Sequence, residues 1–126
     1  MRAGQRFATS PIGGILLCAA SAAAGYALRY RFVEPEAMGA ACERARLWWC
    51  PLRTGFIVFT EWRGLGWLAL ALAAMALLAA STRHVERARL WAAPTLVAAG
   101  FGMVLYNATL SAPAAVLATL VLARRP

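Results

Sequence analysis

The sequence predicts an all-α membrane protein with four transmembrane helices. Three observations support this prediction. Hydrophobic residues make up 62% of the 126 residues, well above the roughly 45–50% of soluble globular domains. A soluble domain of this size has too little interior to bury so much apolar surface. The apolar residues also form four stretches, and most charged residues lie at the borders of those stretches.

The first stretch covers about residues 11–28 and is just long enough to cross a bilayer. Because Arg2 and Arg6 precede it, the segment also has the layout of a cleavable signal peptide. The apolar run continues beyond any plausible cleavage site, however, and Arg29 and Arg31 close it as they would close a span. We therefore expect a retained transmembrane helix.

A polar segment of about residues 30–54 follows and is expected to be a periplasmic loop, in which Pro35 and Pro51 would break regular secondary structure. It contains Cys42 and Cys50. A cysteine pair confined to one loop is typical of an oxidising compartment, so we predict a disulfide between them. The alternative is a pair of redox-active thiols.

The layout is similar to that of the quinone-linked DsbB family, which has four spans and a cysteine pair in its first periplasmic loop. That resemblance implies thiol–disulfide exchange at Cys42 and Cys50. The family's pair is Cys-x-x-Cys, whereas seven residues separate the two cysteines here. The family's second pair belongs in the other periplasmic loop, which here is a tight turn without cysteine. These departures favour a structural disulfide.

The second span is predicted over about residues 63–82. Its start carries residues typical of a membrane–water boundary, namely Glu61, Trp62, Arg63 and Trp67. Of these, Trp62 and Trp67 are expected to be interfacial anchors. The alternative is one tilted helix of about 26 residues, roughly 39 Å long.

From Leu90 the chain is apolar nearly to its end. One helix over this stretch would be about 51 Å long, well beyond the roughly 30 Å of hydrocarbon. We therefore predict a turn at residues 106–109, with a third span over about 90–105 and a fourth over about 110–123. Trp91 is the expected interfacial anchor of the third span.

An even number of spans places both termini on one side of the membrane. That side would hold seven arginines: Arg2, Arg6, Arg83, Arg87, Arg89, Arg124 and Arg125. The opposite side would hold six, so the positive-inside rule favours the cytoplasm by a narrow margin and charge alone does not decide. The cysteine pair in the long loop favours a periplasmic loop and so agrees with this orientation. We therefore predict a bacterial inner-membrane protein with cytoplasmic N- and C-termini and a single membrane domain over residues 1–126.

Four polar residues form the candidate ligand or partner site. Glu61 and Arg63 lie beside a span, where ionisable groups are functional candidates. Tyr106 and Asn107 lie at the tip of the last hairpin, on the same side of the membrane. The structural alternatives are an interfacial ion pair and an ordinary turn.

The sequence contains neither a phosphate-binding glycine loop nor a set of residues typical of catalysis, so an enzyme is not favoured. We expect no cofactor, no metal and no nucleic acid. Glycine and alanine faces of the second and third spans suit close helix packing, either within the protein or onto a partner.

The favoured function is a non-catalytic accessory or scaffold subunit of an inner-membrane complex. It would contact membrane lipids and a larger membrane protein, or else form a homo-oligomer. The alternatives are a small transporter component or lipid or isoprenoid-carrier handling protein, and a periplasm-facing redox protein.

Overall fold

Residues 2–124 are described by a computed structural model, and within that range the chain is helical with no strand. The predicted all-helical class is therefore confirmed. The α-helices are α1 (Ala3–Ala8), α2 (Pro11–Leu28), α3 (Glu36–Arg44), α4 (Cys50–Glu61), α5 (Gly64–Ser81), α6 (Val85–Val104) and α7 (Ala108–Ala123). A π-helical segment, Arg29–Val33, continues α2.

Helices α2, α5, α6 and α7 form a four-helix bundle, and α6 packs against each of the other three. Short connections make α5, α6 and α7 antiparallel neighbours. One end of the bundle, which we call the basic end, carries Arg2, Arg6, Arg83, Arg87, Arg89 and Arg124. The opposite end carries α3 and α4, which we call the disulfide hairpin.

A left-handed residue ends each of the three helices before a tight connection: Arg63 (φ 58°), Arg83 (φ 62°) and Tyr106 (φ 65°). In this conformation the side chain crowds the following carbonyl, and helix propagation stops. The break at Arg63 separates α4 from α5, so the alternative of one long tilted helix across this region is wrong. The turn predicted near residue 106 is present.

The bundle interior consists mainly of small side chains. The buried apolar residues include Ala69, Ala73, Ala76, Ala88, Ala92, Ala99, Ala114 and Ala118. Helices α2 and α6 approach so closely that a methyl group added at Gly100 would overlap the Ser21 hydroxyl. The small-residue faces of α5 and α6 therefore pack inside the bundle.

Many large apolar side chains point outward, while Leu96, Leu105 and Leu122 are buried. Exposed examples on α2, α5 and α7 are Ile12, Ile15, Leu16, Leu68, Met75, Leu78, Val116 and Leu120. Several polar side chains are buried, namely Ser21, Thr60, Thr95, Asn107 and Ser111. An interior built mainly of small side chains, with many large apolar side chains outside, inverts the arrangement that is usual in a soluble domain.

Among residues 2–124, two helical segments are long and apolar enough to cross a membrane. They are Pro11–Val33, with mean hydropathy 1.6, and Gly64–Ser81, with mean hydropathy 1.9. Helix α7 is apolar but has only 16 residues. Helix α6 has 20 residues, but three charged residues lie in its first two turns.

The segment expected to be a loop, residues 30–54, is largely helical. It contains most of the π-helical segment, all of α3 and the start of α4. Pro35 caps α3, and Pro51 occupies the first turn of α4. Proline suits the first turn, the position of Pro51, because its fixed φ matches a helix and the first turn needs no N–H donor. The two prolines begin helices, which the loop prediction missed.

Candidate functional site

A disulfide between Cys42 and Cys50 closes the hairpin, with the two Cα atoms 5.7 Å apart. The predicted pairing is confirmed. The bond links the C-terminal half of α3 to the first residue of α4. A cavity of about 570 Å³ lies beside it, lined also by Arg46, Leu47 and Thr54.

Few interactions tie the hairpin to the bundle. Arg53 on α4 donates from Nε to the Phe32 carbonyl (2.9 Å) and from Nη2 to the Val33 carbonyl (2.7 Å). The Trp49 and Phe32 rings are in contact, with centroids 5.8 Å apart. A guanidinium bound to two carbonyls at once is held in one orientation, so Arg53 fixes the angle at which α4 leaves the bundle.

Several large apolar side chains of the hairpin are exposed. Trp48 is 81% exposed and Leu52 is 64% exposed. Val58 and Phe59 on α4 are also exposed, as is Trp62 at its end. Exposed large apolar side chains suit contact with lipid or protein.

A polar cluster connects the end of α2 to the α6–α7 turn. Arg29 Nε donates to Glu34 Oε1 at 2.8 Å, and Arg29 Nη1 donates to the Val104 carbonyl at 3.0 Å. The Tyr106 hydroxyl donates to the same Glu34 oxygen. The Arg29 guanidinium also lies 4.1 Å from the Tyr106 ring centroid, within cation–π range.

The hydrogen bonds of this cluster shift the pKa values of Glu34 and Tyr106. Hydrogen bonds from Tyr106 and then from Arg29 lower the pKa of the Glu34 carboxyl below its ordinary value. The bond to Glu34 raises the pKa of the Tyr106 phenol above its ordinary value. At any pH between these two pKa values, Glu34 is ionised and Tyr106 is protonated. Their hydrogen bond requires this combination.

Asn107 is fully buried beneath the turn. Its Nδ2 donates to the Thr60 carbonyl (3.1 Å) and the Leu105 carbonyl (2.6 Å), and its Oδ1 accepts from the Gly66 amide (3.3 Å). One side chain therefore joins the end of α4, the start of α5 and the α6–α7 turn.

Two of the four predicted site residues share a cavity. Glu61 and Tyr106 line a space of about 380 Å³, together with Val33, Ile57 and Thr60. This size lies within the range of small-molecule sites. The cavity has an apolar wall and, at Glu61 and Tyr106, two polar groups.

The other two predicted residues lie elsewhere. Asn107 is behind the cavity and its amide group is engaged by the backbone. Arg63 is exposed at the junction of α4 and α5 and is absent from the cavity lining. The candidate site is therefore the cavity at Glu61 and Tyr106.

The three tryptophans predicted as anchors are all exposed. Trp62 (79%) and Trp67 (61%) lie toward the disulfide end, and Trp91 (39%) lies near the basic end. Exposed tryptophans near both ends of a bundle suit the two interfaces of a bilayer.

Sequence reasoning did not single out Arg29 and Glu34 as partners. They are five residues apart, a spacing that does not bring side chains together on a regular α-helix. The π-helical segment brings them together, and no sequence pattern indicated it. Thr60 was also missed, because its carbonyl rather than its side chain contacts Asn107.

Within residues 2–124, histidine, cysteine and acidic side chains nowhere gather in a group of three that could hold a metal. The cavity instead offers a carboxylate and a phenol beside apolar side chains, which suits an amphiphilic ligand. No family model matches the chain, and no curated protein or solved structure is similar to it at a significant level.

Proposed function

We propose that this chain is a bacterial inner-membrane protein in which α2, α5, α6 and α7 all cross the bilayer. The inverted side-chain distribution supports this. Because lipid is as apolar as leucine, membrane helices associate through small residues and turn large apolar side chains outward. Helices α6 and α7 follow α5 in antiparallel order, so they would cross with it despite the charged start of α6 and the short α7.

The ends of the bundle suggest its orientation. The basic end carries six arginines and one glutamate in the described chain, whereas the disulfide end carries six arginines and four glutamates. The positive-inside rule counts arginine and lysine rather than net charge, so six arginines at each end give no preference. The disulfide, by contrast, favours the periplasm. On the ground of the disulfide, we propose that the hairpin faces the periplasm and that the two chain termini face the cytoplasm.

Within that membrane, the chain acts as a non-catalytic accessory subunit that docks on a larger membrane protein. The observation that carries this proposal is the exposure of Trp48 and Leu52 on a hairpin closed by a disulfide. An exposed tryptophan on a rigid support loses little conformational freedom on binding, and tryptophan is enriched at interface hot spots. Since the small-residue faces are occupied internally, the hairpin replaces them as the docking surface.

The test compares two substitutions of exposed aromatic residues. Trp48→Ser removes the proposed anchor, whereas Phe7→Ser alters α1 at the opposite end, where Phe7 is 53% exposed. In mild detergent, the wild-type chain should migrate in a stoichiometric complex. Trp48→Ser should weaken that association by about tenfold or more, and Phe7→Ser should leave it intact. A wild-type protein that purifies only as a monomer or homo-oligomer would contradict the proposal.

A second candidate function, handling of a lipid or isoprenoid carrier, is favoured by the cavity that unites Glu61 and Tyr106. Its polar groups would contact a head group while Val33 and Ile57 contact the first carbons of a chain. Binding of a polyprenyl phosphate to the purified protein is the measurement. Because the probe is anionic and Glu61 lines the cavity, Glu61→Gln should strengthen binding at least about threefold by removing a like charge. Glu43→Gln, an exposed control outside the cavity, should leave the affinity unchanged. Equal affinities in all three proteins would remove this candidate.

A further inference from the structure

We propose that a cavity at the basic end binds a phosphate group. The cavity has a volume of about 250 Å³ and lies between the α1–α2 corner and the first turns of α6. It is lined by Arg6, Thr9, Ser10, Pro11, Glu86 and Arg89. This site is at the opposite end of the bundle from the Glu61–Tyr106 cavity, and the proposed functions above do not use it.

Arg89 supplies the main evidence for an anion. Its Nη2 donates to the Arg124 carbonyl at 2.8 Å. Its Nε is buried, and no acceptor for it occurs anywhere in the described part of the chain. A buried charged donor without a partner is costly, whereas a bound anion would supply the acceptor. Arg6, exposed on the facing wall, adds a second guanidinium.

The corner between α1 and α2 is rigid enough to form the other wall. Ser10 caps α2 by accepting a hydrogen bond from the Gly13 amide at 3.0 Å, and its hydroxyl donates to the Phe7 carbonyl at 2.7 Å. Thr9 donates to the Gln5 carbonyl at 2.8 Å. Both hydroxyl protons are therefore used within the corner, which leaves the two guanidinium groups and the positive end of the α2 dipole for the ligand.

Phosphate is the anion that this set suits. Its several oxygens can accept hydrogen bonds from two guanidinium groups at once. An anion with a single acceptor atom offers no such second contact. In the four-span arrangement the cavity lies at head-group depth, where phospholipid phosphates are abundant. This depth rests on the proposed topology, whereas the match between the arginines and a phosphate group is independent of the topology. Glu86 opposes binding, because its carboxylate lines the same cavity.

The experiment titrates the whole purified protein, in neutral detergent, with short-chain phosphatidylglycerol and separately with inorganic phosphate. Arg6→Gln should weaken binding about fivefold relative to the control variant Arg87→Gln. Arg87 is an arginine of α6 that does not line this cavity. Within the described chain, Arg6 makes hydrogen bonds only through its backbone, which the substitution keeps, so Arg6→Gln should leave the fold intact. Glu86→Gln should strengthen binding by about the same factor, a gain that misfolding does not produce.

The two probes distinguish the source of the phosphate. Saturable binding of phosphatidylglycerol alone, with this order of variants, identifies a lipid head group. Binding of inorganic phosphate with the same order identifies a free phosphate site. If Arg6→Gln and Arg87→Gln bind both probes equally, or if Glu86→Gln has no effect, the arginines act only through general surface charge and the proposal is overturned.

Discussion

The bundle and the disulfide hairpin are both helical, but different interactions hold them in place. In the bundle, helix backbones meet through glycine and alanine, as at Gly100 against Ser21. In the hairpin, α4 is attached through the Arg53 guanidinium, the Thr60 carbonyl and the disulfide. The packing of the bundle therefore requires small side chains between its helices, whereas the position of the hairpin requires a small number of polar and covalent bonds.

This contrast separates two roles. Dense packing makes the bundle a rigid support, whereas the hairpin exposes its outer face and is free to contact another molecule. Asn107 belongs to both regions, because it bonds to the end of α4 and to the start of α5. Substitutions chosen in each region should therefore have distinguishable effects on stability.

The largest effect is expected at Asn107. Asn107→Ala leaves the Thr60 and Leu105 carbonyls and the Gly66 amide without this partner in a buried place. We expect a loss of about 3 kcal/mol in the free energy of unfolding, and faster proteolysis of α4. Denaturant titration in detergent measures the first effect. Thr109→Ala, an exposed hydroxyl near the same turn, should be nearly silent; a loss as large there would contradict the assigned network.

A smaller effect, about 2 kcal/mol of destabilisation, is expected for Gly100→Ala, because the new methyl group overlaps Ser21 in the bundle. Gly55→Ala on α4 is the matched control, since no atom lies within 4 Å of its added carbon. That variant should gain about 0.5–1 kcal/mol from helix propensity. The same unfolding titration measures both, and effects of equal sign would show that the two regions do not differ as described.

The Cys42→Ser/Cys50→Ser variant should affect the hairpin alone. Loss of the cross-link should favour local opening of residues 36–61 by about 2 kcal/mol in the chain-entropy model. Proteolysis within the hairpin should accelerate, while the unfolding of the bundle should stay within about 0.5 kcal/mol of wild type. Loss of bundle stability in this variant would mean that the two regions fold as one unit.

The smallest effect concerns pH. Because the Glu34 pKa is lowered, its bond to Tyr106 contributes above the carboxyl's unfolded pKa, about 4.3, and is lost as pH falls through the folded value. Because the Tyr106 pKa is raised, the same bond is lost as pH rises through the phenol's folded value, above about 10. Carbon NMR of labelled glutamate should show the Glu34 pKa rising toward its ordinary value in Tyr106→Phe. An unchanged Glu34 pKa would exclude the bond.

The sequence was most informative about the bundle. The predicted ranges 11–28 and 63–82 coincide closely with α2 and α5, because long apolar runs ended by arginine define a helix by composition. Helix α6 begins at Val85, earlier than the predicted 90, since its first turns are charged yet still helical. An apolar composition predicts which residues would lie in lipid, but it does not predict the first residue that makes helical hydrogen bonds.

The hairpin and the site were less predictable. Prolines that start helices were taken to break them, so α3 and part of α4 were missed. Glu61 and Tyr106 were identified from their position beside apolar runs, and they do share a cavity. The role of Asn107 depends on backbone groups of α4 and α5, which side-chain patterns do not reveal.

The membrane topology is the claim on which the functional proposals depend, and cysteine labelling tests it most directly. In a cysteine-free background, Trp48→Cys and Arg83→Cys place single thiols at exposed positions at the two ends of the bundle. With a membrane-impermeant maleimide, the account predicts labelling of residue 48 in cells with a permeabilised outer membrane, and labelling of residue 83 only after the inner membrane is opened. Labelling of both residues while the inner membrane is intact would contradict the four-span arrangement.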